Sequence, residues 1–265
     1  MKADLHIHST TSDGSDSIEE IIQIAIEKGL DAIAITDHDT LSHIAKFPRN
    51  PKLKLIGGIE ISAVDKSNNK RAHILGYNIQ NPDLVTALTE PLLKARNRNS
   101  EKQAEILKRH GYMLDMDKLS RADDKYLYKQ HILDWLVETG QITEMFGEFY
   151  NKTFKNGGAC DVDIDYIDVS LAVRTIKKAG GIAVLAHPGR QQNYYLIPTL
   201  VRAGLDGLEL NHHAHREQDR ETIRRYAKEY NLFLTGGSDY HGKYEPRRIG
   251  DFLSEECSQF LTNMI

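Results

Sequence analysis

The sequence predicts an α/β fold in which seven strands alternate with helices and close into a barrel. The chain has 265 residues, a length at which α/β barrels commonly form a single domain. Seven short apolar segments are separated mostly by amphipathic ones, which is typical of a parallel sheet with helical crossovers. Most of the unusual His, Asp and Glu residues fall at the ends of these strands, where barrels place their working side chains.

The first strand carries His6 and His8 on one face, because alternate residues of a strand point to the same side. Two imidazoles about 6.6 Å apart along a strand suit one metal ion, although a solvated strand face would show the same pattern. Asp13 in the following loop is either a turn residue or a further ligand. The segment 17–20, Ser-Ile-Glu-Glu, fits a capping box that begins a helix, and Gly29 ends that helix.

Three apolar strands follow, and each carries an ionisable side chain within it or at its end. These side chains are His38 after residues 32–35, Glu60 within 53–62 and His73 within 72–77. Isoleucines flank Glu60, which predicts that it is buried, and a buried carboxylate needs a cation. Asp37 is expected to orient its neighbour His38 rather than to bind metal itself.

The chain changes in character between about residues 81 and 167. Residues 82–110 read as one long charged helix or a pair of helices, and shorter helical patterns lie near 131–139 and 141–150. A connection of this length between two strands is far longer than usual. We therefore expect an inserted helical subdomain that could cover a site.

This reading divides the chain into a barrel, residues 1–97 and 166–265, and an inserted helical lid subdomain, residues 98–165. Lys129 and His131 lie at the start of an amphipathic helix in the insertion, and that helix could point them inward.

The strand pattern resumes after a helix at 169–179. Residues 182–186 end at His187, residues 205–210 end at a segment containing His212 and His215, and residues 232–235 end at Asp239 and His241. A helix of roughly 217–230 separates the last two strands.

Nine candidate ligands result, all with nitrogen or oxygen donors: His6, His8, Asp13, His38, Glu60, His73, His187, Asp239 and His241. Mixed imidazole and carboxylate sets suit Mn²⁺, Zn²⁺ or Fe²⁺. Nine donors exceed the needs of one ion, so two or three divalent ions are expected, with Glu60 as a bridge. Clustered ions about 3.5–4 Å apart lower the pKa of a bridging water and hold both oxygens of a phosphoryl centre. The pattern therefore favours metal-assisted hydrolysis of a phosphate ester, and amide hydrolysis stays open.

The composition limits the partners and the compartment. A net charge of −4 and a pI near 6.3 argue against a surface that coats nucleic acid, but a locally bound nucleotide is compatible with them. Two distant cysteines, Cys160 and Cys257, exclude a disulfide framework and suit a reducing cytoplasm. No apolar run approaches the ~20 residues that span a bilayer, and no obligate protein partner is readable. His43 and His110 are expected to be surface residues.

Six motifs, in this order, resemble those of the PHP (polymerase and histidinol phosphatase) superfamily: His6-Ile7-His8, Asp13-Gly14, Thr36-Asp37-His38, Gly58-Ile59-Glu60, Ala186-His187-Pro188-Gly189 and Gly237-Ser238-Asp239-Tyr240-His241. The resemblance implies a distorted seven-stranded barrel, or (β/α)7 barrel, with a trinuclear metal site. It assigns one ion to His6, His8, Glu60 and Asp239, a second to Glu60, His73 and His187, and a third to Asp13, His38 and His241.

Within that superfamily the chain is most similar to the TrpH/YciV-like phosphoesterases. This similarity implies hydrolysis of nucleoside 3′,5′-bisphosphates or 5′-to-3′ removal of nucleotides from short RNA. The branch usually has Arg-Pro-His where this chain has Lys129-Gln130-His131, and lysine lacks the planar, bidentate grip of arginine on phosphate. Substrate contacts are expected from Lys129, His131, Arg190, His212 and His215.

Other functions fit the same residues. A histidinol-phosphate phosphatase would share the metal ligands and differ in its substrate pocket, and a metal-dependent amidohydrolase would differ in the bond that it cleaves. A non-catalytic metal-binding module would be expected to lack one or more ligands, whereas this sequence has the complete set.

Overall fold

A computed structural model gives the structure of residues 1–48, 52–119 and 126–254. Cys257, and the parts of the predicted domains at 49–51, 120–125 and 255–265, lie outside these residues. In the described part, the strands are β1 (Ala3–Ile7), β2 (Ala32–Ile35), β3 (Lys54–Asp65), β4 (Lys70–Tyr77), β5 (Ile167–Asp168), β6 (Ile182–Leu185), β7 (Gly207–Asn211) and β8 (Phe233–Gly236).

Helices lie between most of these strands. Within the same described ranges, the α-helices are α1 (Ile18–Glu27), α2 (Pro82–Arg109), α3 (Met116–Leu119), α4 (Lys129–Glu138), α5 (Glu148–Thr153), α6 (Val169–Lys178), α7 (Pro188–Gln191), α8 (Ile197–Ala203) and α9 (Glu217–Tyr230). Short 3₁₀ turns add Ser42–Lys46, Tyr194–Leu196 and Gly242–Tyr244. The described residues contain no helix that is both long and apolar enough to cross a membrane.

The first helix forms as its sequence predicts. The Ser17 side chain accepts the Glu20 N–H, and the Glu20 carboxylate accepts the Ser17 N–H, so the capping box is complete. The buried face consists of Ile18, Ile21, Ile22 and Ala25. The helix ends before Gly29, whose φ of +66° is accessible to glycine at little cost.

Seven of the strands form a nearly closed barrel in the order β1-β2-β3-β4-β6-β7-β8, and the short β5 pairs with β3. The two ends of the sheet meet just beyond β8, where the His8 N–H donates to the Tyr240 carbonyl and the Asp239 N–H donates to the His6 carbonyl, both at 2.9 Å. The predicted seven-stranded α/β barrel is therefore confirmed. This closure also places Asp239 beside the two histidines of β1.

One part of the parallel-sheet prediction is wrong, because β4 runs antiparallel to both of its neighbours. The turn at residues 66–69 joins β3 directly to β4 as a hairpin. A link this short can connect antiparallel strands, whereas parallel strands need a crossover of a dozen or more residues. The hairpin brings Glu60 and His73 onto adjacent strands.

Small and medium apolar side chains fill the barrel interior, among them Leu5, Ile56, Leu75 and Val184. Tyr77 is buried there and donates its hydroxyl hydrogen to the Leu5 carbonyl at 2.7 Å. The interior is thus a packed core, and the polar side chains gather at one end of it.

The helical segment between β4 and β5 has an apolar cluster of its own, which includes Leu107, Ile132, Leu136, Phe154 and the buried Cys160. Residues 82–109 form one continuous helix, although Pro91 lies inside it. The domain division at 98 and 165, and the role of this segment as a lid, stay predictions.

The prediction of a helix over 141–150 is wrong. Gly140, with a φ of +69°, ends the preceding helix, and the next helix begins only at Glu148, after Gly147. Glycine at both boundaries explains why the apolar pattern between them does not continue as a helix.

Candidate metal centre and substrate cavity

Glu60 on β3 lies at the centre of the polar cluster and is 1% exposed. Its Oε1 lies 2.8 Å from His73 Nδ1 and 2.9 Å from His187 Nε2. Its Oε2 lies 3.3 Å from Nε2 of both His6 and His8. The two oxygens of one carboxylate therefore face two different sets of imidazoles, which is the geometry that a bridging ligand requires.

A first group of donors consists of His6, His8, Glu60 and Asp239, whose ligand atoms all lie within 4.8 Å of one another. Asp239 Oδ1 lies 3.6 Å from His6 Nε2 and 3.4 Å from His8 Nε2. All four residues are buried. This is the set that the sequence resemblance assigns to one ion.

A second group includes the imidazoles that face Glu60 Oε1, together with His38, whose Nδ1 lies 3.2 Å from Oε2. The donors of His38, Glu60 and His73 come within 4.8 Å of one another, and His187 contacts the same Glu60 oxygen as His73. The predicted partners Glu60, His73 and His187 are thus brought together.

A third group contains Asp13, His38 and His241, with His8 as a further member. Asp13 Oδ2 lies 3.8 Å from His38 Nε2, and Asp13 Oδ1 lies 3.6 Å from His241 Nε2. All nine predicted ligands therefore converge at one end of the barrel.

Several buried ring nitrogens in this cluster have no hydrogen-bond partner among the residues that the structure describes: His6 Nε2, both nitrogens of His8, His38 Nδ1 and His187 Nδ1. Buried polar atoms are normally paired, so orphans gathered around carboxylates mark places where a cation fits. Burial lowers the pKa of His38 to about 4 and that of His187 to about 3, which keeps both rings neutral with a lone pair to offer. The donor set therefore fits divalent metal ions.

Two of the candidate ligands have left-handed backbones. His187, which follows β6, has a φ of 27°, and Asp239, which follows β8, has a φ of 53°. Residues with a Cβ rarely adopt this region, and each costs about 1–3 kcal/mol. The sharp turns aim both side chains back over the end of the barrel.

Glu209 on β7 contacts two candidate ligands, although it is not among the site residues predicted from the sequence. Its Oε1 lies 2.9 Å from His6 Nδ1, and its Oε2 accepts the His187 N–H at 2.7 Å. Burial opposes ionisation, but the neighbouring His6 outweighs it and lowers the pKa of Glu209 to about 2. The available signal was an acidic residue inside an apolar strand, the same signal that marked Glu60.

The prediction that His43 lies on the surface is wrong, whereas the exposure of His110 is confirmed. His43 is 0% exposed, and its Nδ1 lies 3.1 Å from Asp37 Oδ2. Asp37 also accepts the Ser9 N–H and the hydroxyl hydrogens of Ser9 and Ser12. The pair thus anchors the loop that carries Asp13. His43 lies in a 3₁₀ turn, which has no periodic sequence pattern from which its burial could be predicted.

The cluster opens into a cavity of about 650 Å³ between the barrel and the helical segment. Five cationic side chains line it, and we call them the basic patch: Arg71, Arg96, Lys129, Lys155 and Arg190. Arg190 Nη1 lies 2.9 Å from Asp239 Oδ2, and burial lowers the pKa of Lys129. Lys129 and Arg190, both predicted to bind substrate, therefore face the space above the candidate metal centre.

The remaining predicted substrate residues are engaged by the protein itself. His131 Nδ1 accepts the Tyr128 N–H, and His212 Nε2 lies 3.3 Å from Asp239 Oδ2. His215 Nε2 accepts the Gly189 N–H, so its Nδ1–H donates to the Leu210 carbonyl. Neither ring nitrogen of His215 is left for a substrate, and its observed contacts support the turn after His187.

A nearly closed α/β barrel with a buried His, Asp and Glu cluster at one end places this protein in the class of barrel hydrolases whose sites could hold metal ions. Residues 4–239 match the model of the PHP domain. The chain therefore belongs to the PHP family.

Two curated relatives and one solved structure illustrate the similarity. The phosphoribosyl 1,2-cyclic phosphate 1,2-diphosphodiesterase of Eggerthella lenta is 40% identical over 92% of this chain and 95% of its own. A 5′-3′ exoribonuclease of Haemophilus influenzae is 30% identical over 91% and 90% of the two chains. A crystal structure of a candidate metal-dependent phosphoesterase from Bifidobacterium adolescentis superposes with a TM-score of 0.88, at 25% identity, over 98% of this chain and 94% of that one.

Proposed function

We propose that the protein is a metal-dependent phosphoesterase that hydrolyses a small ribose phosphate carrying more than one phosphate group. The observation that carries the proposal is the position of Glu60, whose two carboxylate oxygens face separate groups of buried imidazoles. This arrangement suits adjacent divalent ions, and adjacent ions suit phosphoryl transfer.

The nine candidate ligands would hold two or three ions of Mn²⁺, Zn²⁺ or Fe²⁺, in the groups built around Glu60 and Asp13. When bound, such ions would neutralise charge on a phosphoryl group and would lower the pKa of water toward neutral pH. Glu209 would hold His6 with its Nε2 directed at the cluster. Its contact with the His187 backbone N–H would hold the turn that carries His187.

The basic patch supports a substrate with a second phosphate. Arg71 lies flat on Tyr166, with its Cζ 3.4 Å from the ring centroid, and also pairs with Asp163. Arg96 is held by Asp39 and Ser62 at 2.8 and 2.9 Å. Guanidinium groups fixed in this way lose little entropy on binding phosphate, so they favour a second anion over a neutral group.

The relatives support a ribose phosphate as the common element. One relative is named for a phosphoribosyl cyclic phosphate and the other for RNA, and both substrates contain ribose joined to phosphate. Nucleoside 3′,5′-bisphosphates and short 5′-phosphorylated RNA belong to the same chemical class. Hydrolysis of histidinol phosphate is the rival, since that substrate has a single phosphate and no ribose.

The proposal is tested by ³¹P NMR of products from the Mn²⁺-loaded enzyme. The substrates are phosphoribosyl 1,2-cyclic phosphate, adenosine 3′,5′-bisphosphate, a short 5′-phosphorylated RNA, AMP and histidinol phosphate. We expect a substrate from the first three to show a kcat/KM at least about tenfold above AMP, because AMP leaves the basic patch without a second phosphate.

Asp239→Ala is the matched inactive control, since it removes a candidate ligand and should abolish turnover of every substrate. Turnover of histidinol phosphate alone, or equal kcat/KM values for AMP and the bisphosphate, would contradict the proposal.

A further inference from the structure

Helix α4 donates a hydrogen bond directly to one candidate metal ligand. Gln130, on the first turn of this helix, donates from Nε2 to Asp13 Oδ2 at 2.6 Å. Asp13 Oδ1 points the other way, toward His8 and His241. The amide therefore fixes the orientation of the Asp13 carboxylate within the group of Asp13, His38 and His241.

The same helical segment also contacts the other two members of this group, His38 through its backbone carbonyl and His241 through a nearby residue. The Tyr128 hydroxyl donates to the His38 carbonyl at 3.0 Å. Lys243, two residues after His241, pairs with Asp134 at 2.9 Å and with Glu138 at 2.6 Å. Both carboxylates are on α4, so the helix reaches all three loops that supply the group.

The other two groups are supported from the barrel instead. Glu209 on β7 contacts His6 of the first group and the backbone of His187 of the second. The three candidate ion positions therefore differ in which part of the protein holds their ligands. In the described residues, 1–48, 52–119 and 126–254, only the group around Asp13 receives a side-chain hydrogen bond from α4.

We infer that Gln130 is a positioning residue for Asp13, and that occupancy of the Asp13, His38 and His241 group is coupled to the packing of α4 over the cavity. The inference rests on the proposed function, in that this group holds an ion. Coupling of this kind is reciprocal: packing of α4 strengthens ion binding, and the ion in turn stabilises α4 against opening.

The test measures metal binding rather than turnover. Mn²⁺ binding is followed by equilibrium dialysis with elemental analysis in the wild-type protein and in Gln130→Met, which keeps a long unbranched side chain and removes the donor. Gln141→Met is the matched control, because Gln141 also lies in the helical segment but bonds to the Met113 backbone. Gln130→Ala repeats the experiment if the methionine variant does not fold.

We expect one ion, the one held by the group around Asp13, to bind about 10–100-fold less tightly in Gln130→Met, with binding of the others unchanged and the control equal to wild type. Hydrogen exchange gives a second readout: binding of that ion should slow exchange of the α4 amides in wild type but not in the variant. A dissociation constant within twofold of wild type for every ion, together with unchanged α4 protection, overturns the inference while leaving the proposed function intact. Failure of the wild type to bind Mn²⁺ overturns both.

Discussion

The carboxylate of Glu209 lies 2.9 Å from Nδ1 of His6, deep in the barrel and away from the cavity. Because the Glu209 pKa is lowered to about 2, the carboxylate is ionised and accepts the Nδ1 hydrogen. That hydrogen bond holds the His6 ring by Nδ1, so that Nε2 faces Glu60 and Asp239. Burial alone would lower the pKa of His6, but these carboxylates raise it, and a bound cation would take the place of the Nε2 proton that they favour. A residue with no access to substrate thus sets the direction of a candidate metal ligand.

Glu209→Gln should weaken metal binding about 10–100-fold at the group that contains His6, because an amide oxygen is a poorer acceptor than a carboxylate. Chelator competition with Mn²⁺ measures this change. Glu217→Gln, on the exposed start of α9, is the control and should bind metal as wild type does. Equal affinities in the wild type and Glu209→Gln would show that the contact does not tune the site.

Arg71→Met should raise KM about 10–100-fold for a substrate with two phosphates, because a charge-assisted hydrogen bond to phosphate is lost. The kcat should change much less, since the contacts described for the Arg71 guanidinium are with Tyr166 and Asp163, neither of which is a candidate metal ligand. Steady-state kinetics with adenosine 3′,5′-bisphosphate and AMP separate the two effects. Arg174→Met, on the exposed face of α6, is the control. An equal rise in KM for AMP would mean that Arg71 does not bind the second phosphate.

His43→Ala should reduce the free energy of unfolding by about 1–3 kcal/mol, because it empties a buried position and removes a partner of Asp37. Three hydroxyl and amide donors remain on Asp37, which keeps the loss below that of an isolated buried ion pair. Urea unfolding measures the change. His110→Ala, at an exposed position, should stay within about 0.5 kcal/mol of wild type. A loss equally small for His43→Ala would contradict the anchoring role.

The hairpin of β3 and β4 should show a defined acid dependence through Asp65. Burial raises the pKa of this carboxyl group, but hydrogen bonds from Ser67, Asn68 and Tyr195 outweigh burial and lower the pKa to about 2 from its ordinary 3.8. Because the folded pKa lies below the unfolded one, the stabilisation is present above the ordinary pKa of 3.8 and is lost as pH falls through about 2.

Asp65→Asn removes that titration. The stability difference between wild type and variant should therefore be constant above about pH 5 and should shrink by roughly 1–2 kcal/mol on approach to pH 2, allowing for solvent near the turn. Urea unfolding of both proteins at a series of pH values measures the difference. A difference that does not change between pH 6 and 2.5 would contradict the assignment.

The convergence of the nine candidate ligands could be predicted because each is tied to a local pattern: alternation places His6 and His8 on one face, and apolar strands end at His187 and Asp239. Glu209 satisfies the same rule as Glu60, an acidic side chain enclosed by apolar neighbours in a strand, and could have been found by applying that rule to every strand.

Other features depend on contacts that no short pattern records. The burial of His43 follows from the packing of a non-periodic turn against Asp37, 6 residues earlier in the chain. The hydrogen bond from Gln130 to Asp13 joins residues 117 positions apart. The antiparallel direction of β4 could have been predicted, because the short polar segment 66–69 between two strands is a recognisable hairpin connection.

The left-handed backbones of His187 and Asp239 have a consequence for laboratory evolution of this protein. Glycine adopts such a φ without the penalty of about 1–3 kcal/mol that a side chain incurs there. Selection for thermal resistance alone would therefore reward glycine at these two positions and discard candidate ligands in the process. A library screened for heat tolerance should retain function only if metal retention is scored in the same round.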